Sequence, residues 1–479
     1  MRRALEHPLA PVVGAVLFGL VYLAAAPATA DMAGHTFRAW LFSHDGPSVW
    51  NAQWYGGHHV LGYSLLFAPA AWVLGPALTG VAASVVATAA FGRIVRNGPA
   101  TWLFAGGMAA NVAIGRMPFA LGIALAVLAW IAPRRLAAAL AFACVWASPV
   151  AGAFLLLAAV ARRAWWLGVP VLVGGGLLVA LFPEGGPDRF VASAFWPMLG
   201  VSIAAAGLLS RTLRPAALLN VGMLVAAFLI PTTFGQNALR LAVLLGPPLL
   251  VIGARPGPAR FAVIAVLLYL QWLPAVRAVG EAAGDPSTQA GFYTEAREFL
   301  ERSTRPGERV EVAFTRNHWE AARLATSVPL ARGWERQLDQ KTNPLFYGGF
   351  TTERYQAWLS RNAVRWGALP DAPLDYSARE EAKLLERRPA FLRLAFSSPE
   401  WRIWEVRDPS PPASDGARMV SAGPDGFSVR TRGTTIVRQR YTRYWRARGG
   451  TVRPAAGGWT EVDPRGGSLV SVRASFTIR

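Results

Sequence analysis

Before Glu281 the chain carries only five acidic residues, Glu6, Asp31, Asp45, Glu184 and Asp188. Apolar runs fill the same stretch, at approximately 8–30, 60–92, 99–114, 117–133, 136–147, 150–161, 167–182, 197–210, 215–231, 241–254 and 261–276. A helix needs about 20 apolar residues to cross a hydrocarbon layer. Such segments must satisfy their backbone polar groups internally, which leaves few alternatives to helices. Near residue 280 the composition changes, and Glu, Asp, Lys and Arg then occur throughout.

The basic residues suggest an orientation. With Arg2 and Arg3 in the cytoplasm, alternate crossings put Arg93/Arg96, Arg134/Arg135, Arg162/Arg163, Arg211/Arg214 and Arg255/Arg260 on the inner side, as the positive-inside rule expects. The expectation for residues 1–280 is therefore a polytopic α-helical membrane bundle of about 11 spans, N-in/C-out, with an outer loop at 31–59. Two runs strain that count, 60–92 at Pro69 and Gly75-Pro76, and 136–161 at Ser148-Pro149. The N-terminus resembles a signal peptide up to Ala28-Thr29-Ala30-Asp31, but the spans that follow favour an uncleaved first helix.

The formal charge is +20. Its arginines are scattered and are not interleaved with aromatics as in a nucleic-acid surface, so the expected partners are membrane lipids and not nucleic acid. Cys144 is the lone cysteine, which excludes an intrachain disulfide and a thiolate metal site.

Residues 281–407 alternate helical and strand patterns and read as an extracytoplasmic α/β domain. Helices are predicted over Phe292–Ser303, Thr351–Arg361 and Tyr376–Arg387, and strands over Arg309–Phe314, Val364–Leu369 and Trp401–Val406. A Pro/Ser/Gly linker follows at 408–417. The short β-type runs of 418–479 predict a small C-terminal β-sandwich, with Trp445 and Trp459 in its core. His318 is expected at the surface.

The loop after the first apolar run holds most of the chemistry-bearing residues. Asp31, His35 and Arg38 form an Asp-x-x-x-His-x-x-Arg motif, and Trp50-Asn-Ala-Gln-Trp54-Tyr55-Gly-Gly is an aromatic-Gly stretch followed by His58 and His59. Gly115-Arg116-Met-Pro-Phe119 and Gly235-Gln236-Asn237-Ala-Leu-Arg240 add polar turns on the same expected outer side. His35, His44, His58 and His59 with Asp31 and Asp45 are of types that bind a divalent metal, but no spacing is diagnostic, so no metal or cofactor is assigned.

With a soluble portion after the last helix, this arrangement resembles the GT-C superfamily of polytopic glycosyltransferases. It looks most like bacterial members without an assigned substrate. The resemblance implies sugar transfer from a polyprenyl-phosphate-linked donor to an envelope glycan or lipid acceptor, on the outer face of the bacterial cytoplasmic membrane. Relatives often carry two acids close together in the first outer loop, whereas Asp31 and Asp45 stand fourteen apart.

Glycosyl transfer needs a base for the acceptor hydroxyl, and a partly desolvated Asp31 is the first candidate, with Asp45 the second. Arg116 and Arg240 are suited to the departing phosphate, with Gln236 and Asn237 as further donors. Trp50, Trp54 and Tyr55 offer flat faces for a sugar ring, and His35, Arg38 and His58 complete the expected binding set. Other readings of the same residues stay open. Asp31 as a helix cap, the aromatics as an interfacial belt and the arginines as lipid anchors fit the sequence too. A lipid or glycan transporter or flippase, or a non-catalytic envelope assembly protein, fits the same architecture.

Overall fold

The computed structural model describes residues 7–476, so Arg2, Arg3, Glu6 and the terminal Thr477 to Arg479 lie outside the described residues. The chain divides into two compact units, one formed by Met1–Met32 with Gly62–Ala283 and the other by Ala33–Leu61 with Gly284–Arg479. The segment 33–61 thus belongs with the C-terminal residues.

The first unit is helical. Among the described residues three helices are long and apolar enough to cross a membrane, Pro76–Val95, Gly235–Gly253 and Pro258–Ala282. A fourth crossing arises if the bent pair Ala10–Ala25 and Ala30–Asp45 is one broken span. This overturns the expected bundle of about 11 spans, N-in/C-out. The reason is local. Gly115, at φ +97°, ends Gly98–Ile114, and the Ser148 hydroxyl caps Pro149–Ala161 by accepting from the Ala151 N–H. Breaks of this kind leave five shorter apolar helices, Met117–Ile131, Pro149–Ala161, Trp165–Leu181, Ala192–Leu208 and Arg214–Leu229. Even the 17-residue ones rise only about 26 Å, against a hydrocarbon core of roughly 30 Å. Large apolar side chains remain uncovered, with Val179 and Leu229 each 69% exposed. The long apolar helices are compatible with membrane association.

Packing inside this unit is tight. Phe195 stacks on Phe228 at 3.9 Å between ring centroids, beside the buried Leu224, Leu250 and Leu267. Gly19 has no room for a Cβ beside Val81, nor has Gly80 beside Met117, so the helices approach at small residues.

The second unit holds three sheets. The first has the order β1-β2-β4-β3, with β1 Arg309–Val312, β2 Val364–Pro370, β3 Leu392–Ser397 and β4 Trp401–Val406. The β1 and β2 strands are parallel and the other pairs antiparallel. Helices Thr294–Ser303, Thr352–Arg361 and Arg379–Glu386 lie close to the ranges predicted from periodicity. The C-terminal region forms two antiparallel sheets, β7-β10-β9 and β5-β6-β11-β8, from β5 Arg418–Gly423, β6 Gly426–Arg430, β7 Thr435–Arg440, β8 Trp445–Arg448, β9 Gly450–Pro454, β10 Trp459–Pro464 and β11 Leu469–Ala474.

Buried charge organises the core beside β1 and β2. The Arg332 guanidinium lies 3.8 Å from the ring centroids of both Phe314 and Phe346. It donates to Asp339 at 2.7 Å and faces Glu311 at 3.5 Å and Glu381 at 3.8 Å. Three carboxylates around one cation leave excess negative charge, so protonation is favoured. Burial, with Glu381 nearby, pushes the Glu311 carboxyl well above its usual range. Burial raises Glu381 to about 7, although Arg332 and a hydrogen bond from Tyr355 oppose it. His318 is buried here and not at the surface, stacked on Trp334 at 3.5 Å and placed 3.5 Å from Asp375. Burial works against the Asp375 charge, but His318 and a bidentate Arg336 hold its carboxyl well below the usual range.

Removing Arg332 strands buried carboxylates. Arg332→Met is expected to cost about 3–5 kcal/mol, read by denaturant unfolding of the purified protein. An unchanged midpoint would show that the carboxylates are neutral without it. Glu381 makes the opposite contribution with pH. Its folded value lies above the ordinary 4.5, so its stabilisation is complete below pH 4.5 and is lost as pH rises through about 7. The unfolding temperature should therefore fall across that window, and Glu381→Gln should flatten the fall. Parallel pH profiles for the two proteins would contradict the assignment.

Candidate functional site

Three residues singled out from sequence meet in the helical unit. Asp31 lies in the first turn of Ala30–Asp45, so it is inside the helix and is not its cap. The preceding Thr29 donates its hydroxyl to the Ile114 carbonyl at 2.9 Å, which ties the start of that helix to the end of Gly98–Ile114. Gly115 follows at once. A Cβ there would stand 2.9 Å from Thr29 Oγ1 and 3.2 Å from Asp31 Cβ, so the glycine allows both the turn and the close approach.

Arg116 follows this turn, and its guanidinium reaches Asn111 Oδ1 at 3.4 Å. Burial first, then Arg240, lowers Arg116 to about 9, with Asp31 and Tyr63 opposing; the group is cationic at neutral pH. Arg240 enters from the Gln236-to-Arg240 turn, with its guanidinium 5.4 Å from the Phe119 ring centroid. The Gly-Arg-Met-Pro-Phe and Gly-Gln-Asn-Ala-Leu-Arg motifs thus touch. Arg240 feels Asp31, Tyr63 and Asp188 electrostatically. The Asp188 carboxylate accepts from the Gln236 N–H at 3.0 Å, and the Gln236 side chain donates to the Arg189 carbonyl at 3.1 Å. Asn237 lies in the same short 3-10 turn, Gly235–Ala238.

Asp31 acts electrostatically on both Arg116 and Arg240. The three side chains thus bring one acid and two cations into one region of the helical unit. An anion bound there would meet two guanidinium groups, and a hydroxyl would meet a carboxylate.

The remaining expected residues are placed in the second unit and are committed to packing. Asp45 is the last residue of the helix Ala30–Asp45. Burial and Asp425 raise its carboxyl, against His44 and Arg473. Arg38 pairs with Glu335 at 3.0 Å and lies over the Trp54 ring. Trp54 is buried, stacked on Phe37 at 4.3 Å and on His58 at 5.6 Å, and donates to the Ala321 carbonyl at 3.1 Å. Tyr55 donates its hydroxyl to the Gly333 carbonyl and accepts from the Glu335 N–H at 3.1 Å. Trp50 packs edge-on against His59 and Trp445. His35 and His58 are buried. These side chains present neither an open platform for a sugar nor an interfacial belt.

The expected set omitted Tyr63, Asn111, Phe119 and Asp188. Asp188 had a signal in its rarity, being one of five acids before Glu281; Tyr63, Asn111 and Phe119 had none beyond proximity to a motif. Among the described residues no three His, Cys, Asp or Glu side chains gather as a metal site. No family model matches the chain, and no curated protein matches it.

Gly115→Ala should disturb this site directly, because it adds a Cβ to a left-handed backbone position and crowds Asp31. A loss of roughly 1–3 kcal/mol is expected, measured by thermal unfolding in detergent. Wild-type stability would mean that the Asp31 helix can move away freely.

Proposed function

We propose that the protein is a membrane glycosyltransferase that moves a sugar from a polyprenyl-phosphate carrier to a cell-envelope acceptor. The observation that supports this reading is the group of Asp31, Arg116 and Arg240, within electrostatic reach of one another. On this reading the Asp31 carboxylate takes the proton of the acceptor hydroxyl. The acceptor oxygen forms a bond to the anomeric carbon while the bond from that carbon to phosphate oxygen breaks. The polyprenyl phosphate leaves with the electron pair, and Arg116 and Arg240 meet its growing charge. Gln236 and Asn237, in the turn that leads to Arg240, supply further donors. The reading needs no metal. It places the protein in a bacterial cytoplasmic membrane with Gly284–Arg479 on the outer side.

A flippase for the same lipid phosphate would use the two arginines but has no need of a base. Asp31 therefore discriminates between the readings. Purified protein incubated with labelled polyprenyl-phosphate sugars and envelope acceptors should form glycoside. Asp31→Asn should lower turnover by about 10²–10⁴-fold while leaving donor binding intact. Arg240→Gln should weaken donor binding. Lipid flux without product, or wild-type turnover by Asp31→Asn, would sink the assignment.

A further inference from the structure

A second concentration of cations lies in the other unit, in a cleft of about 990 Å³. Arg305, Arg365, Arg418 and Arg430 line it with a single carboxylate, Glu308. Glu308 is already engaged, accepting from the Arg305 backbone N–H at 2.9 Å. Arg365 is paired with Glu405, which also takes Arg393. Among the described residues Arg418 and Arg430 have no carboxylate partner.

These two arginines are cross-strand partners in the antiparallel β5–β6 pair. Directly opposed side chains stand on one face about 5 Å apart at Cβ, where like charges destabilise a sheet. Both residues are exposed, so no packing need accounts for them. A negatively charged group bridging the two turns the repulsion into attraction.

The cleft is also preformed. Its wall is Pro409-Ser410-Pro411-Pro412, whose three prolines have fixed φ. The wall is held by a 2.5 Å contact between the Ser410 and Ser360 hydroxyls and by the Arg438 N–H donating to the Pro412 carbonyl at 2.8 Å. Gly307, at φ +85°, brings the opposite turn so close that a Cβ would meet Pro412 Cβ at 2.8 Å. A rigid wall lowers the ordering cost of binding. No aromatic side chain lines the cleft, so it lacks the stacking platform that single-stranded nucleic acid uses. Guanidinium pairs and a stack-free wall suit phosphate oxygens.

We propose that this cleft is a binding site for a phosphate-bearing ligand, held by Arg418 and Arg430 with Arg305 and Arg365 at its side. The site is independent of the transfer reaction proposed for Asp31. Its test uses the full chain in phosphatidylcholine nanodiscs, titrated calorimetrically with tripolyphosphate at low and high salt. Sedimentation with phosphatidylglycerol or phosphatidylcholine vesicles forms the second arm. Tripolyphosphate should bind the wild type, more weakly as salt rises. The double variant Arg418→Gln/Arg430→Gln should weaken binding at least tenfold, and the remote Arg387→Gln should not change it. If capture by phosphatidylglycerol vesicles also depends on the pair, the phosphate comes from a lipid headgroup; without such capture it is a soluble phosphate. Arg430→Glu should abolish binding while keeping or raising the unfolding temperature, since it replaces repulsion by a cross-strand ion pair. A large fall in that temperature would make the pair structural and overturn the proposal. So would equal binding by wild type and double variant, no binding by the wild type, or tighter binding of an oligothymidylate than of tripolyphosphate.

Discussion

A guanidinium withdrawn from water keeps its charge, because its ordinary pKa lies above 12. Each buried arginine must therefore be compensated by its neighbours, and the means of compensation differ along this chain. Arg332 is fully provided for, with three carboxylates and two aromatic faces. Arg309 is served by carbonyls, of Asn362 at 2.6 Å and of Arg438. Arg240 has the Phe119 ring and the nearby charges of Asp31 and Asp188.

The aromatic loop has a different part from the one its composition suggests. Trp and Tyr side chains bury about 150–250 Å² each, and the second unit uses this to hold residues 33–61. Phe37, Trp54 and His58 form a continuous stack, and Tyr55 closes it through the Gly333 carbonyl. Arg440 adds a bond from its guanidinium to the Tyr55 carbonyl at 2.9 Å. The Trp54 indole N–H and the Tyr55 hydroxyl are spent on internal hydrogen bonds. Asp31 is the one member of the Asp-His-Arg motif that belongs to the helical unit.

What was legible in the sequence follows from the range of the signal. Alternation along Val364–Leu369 and Trp401–Val406 is local, and the strands stand within a residue of where it places them. β3 was missed because Leu392–Ser397 is largely exposed and shows no clean alternation. The span count failed because short runs such as 150–161 and 167–182 were each counted as a crossing, whereas their helices, Pro149–Ala161 and Trp165–Leu181, fall short of the about 20 residues that a span needs. Asp31 was legible through scarcity, since only five acids precede Glu281, and Arg116 and Arg240 through the polar turns that carry them. The partner of residues 33–61 was not, because periodicity says which face is apolar and nothing about what covers it.

The two arginine groups differ in how they treat an anion. The β5–β6 pair is exposed, so its attraction is screened over about 8 Å at physiological ionic strength, and exchange with solvent stays fast. Arg116 and Arg240 are partly buried among apolar helices, where charges interact several-fold more strongly than in water. A phosphate reaching them must shed water, and the penalty is repaid only if both guanidinium groups contact it together. Asp31 sharpens that requirement. Its negative charge repels a phosphate placed too near, so a bound phosphate has to sit on the arginine side of the group, with a neutral hydroxyl or sugar facing the carboxylate. On the proposed reading, one acid among two cations would orient a ligand that is charged at one end and polar at the other, which neither arginine could do alone.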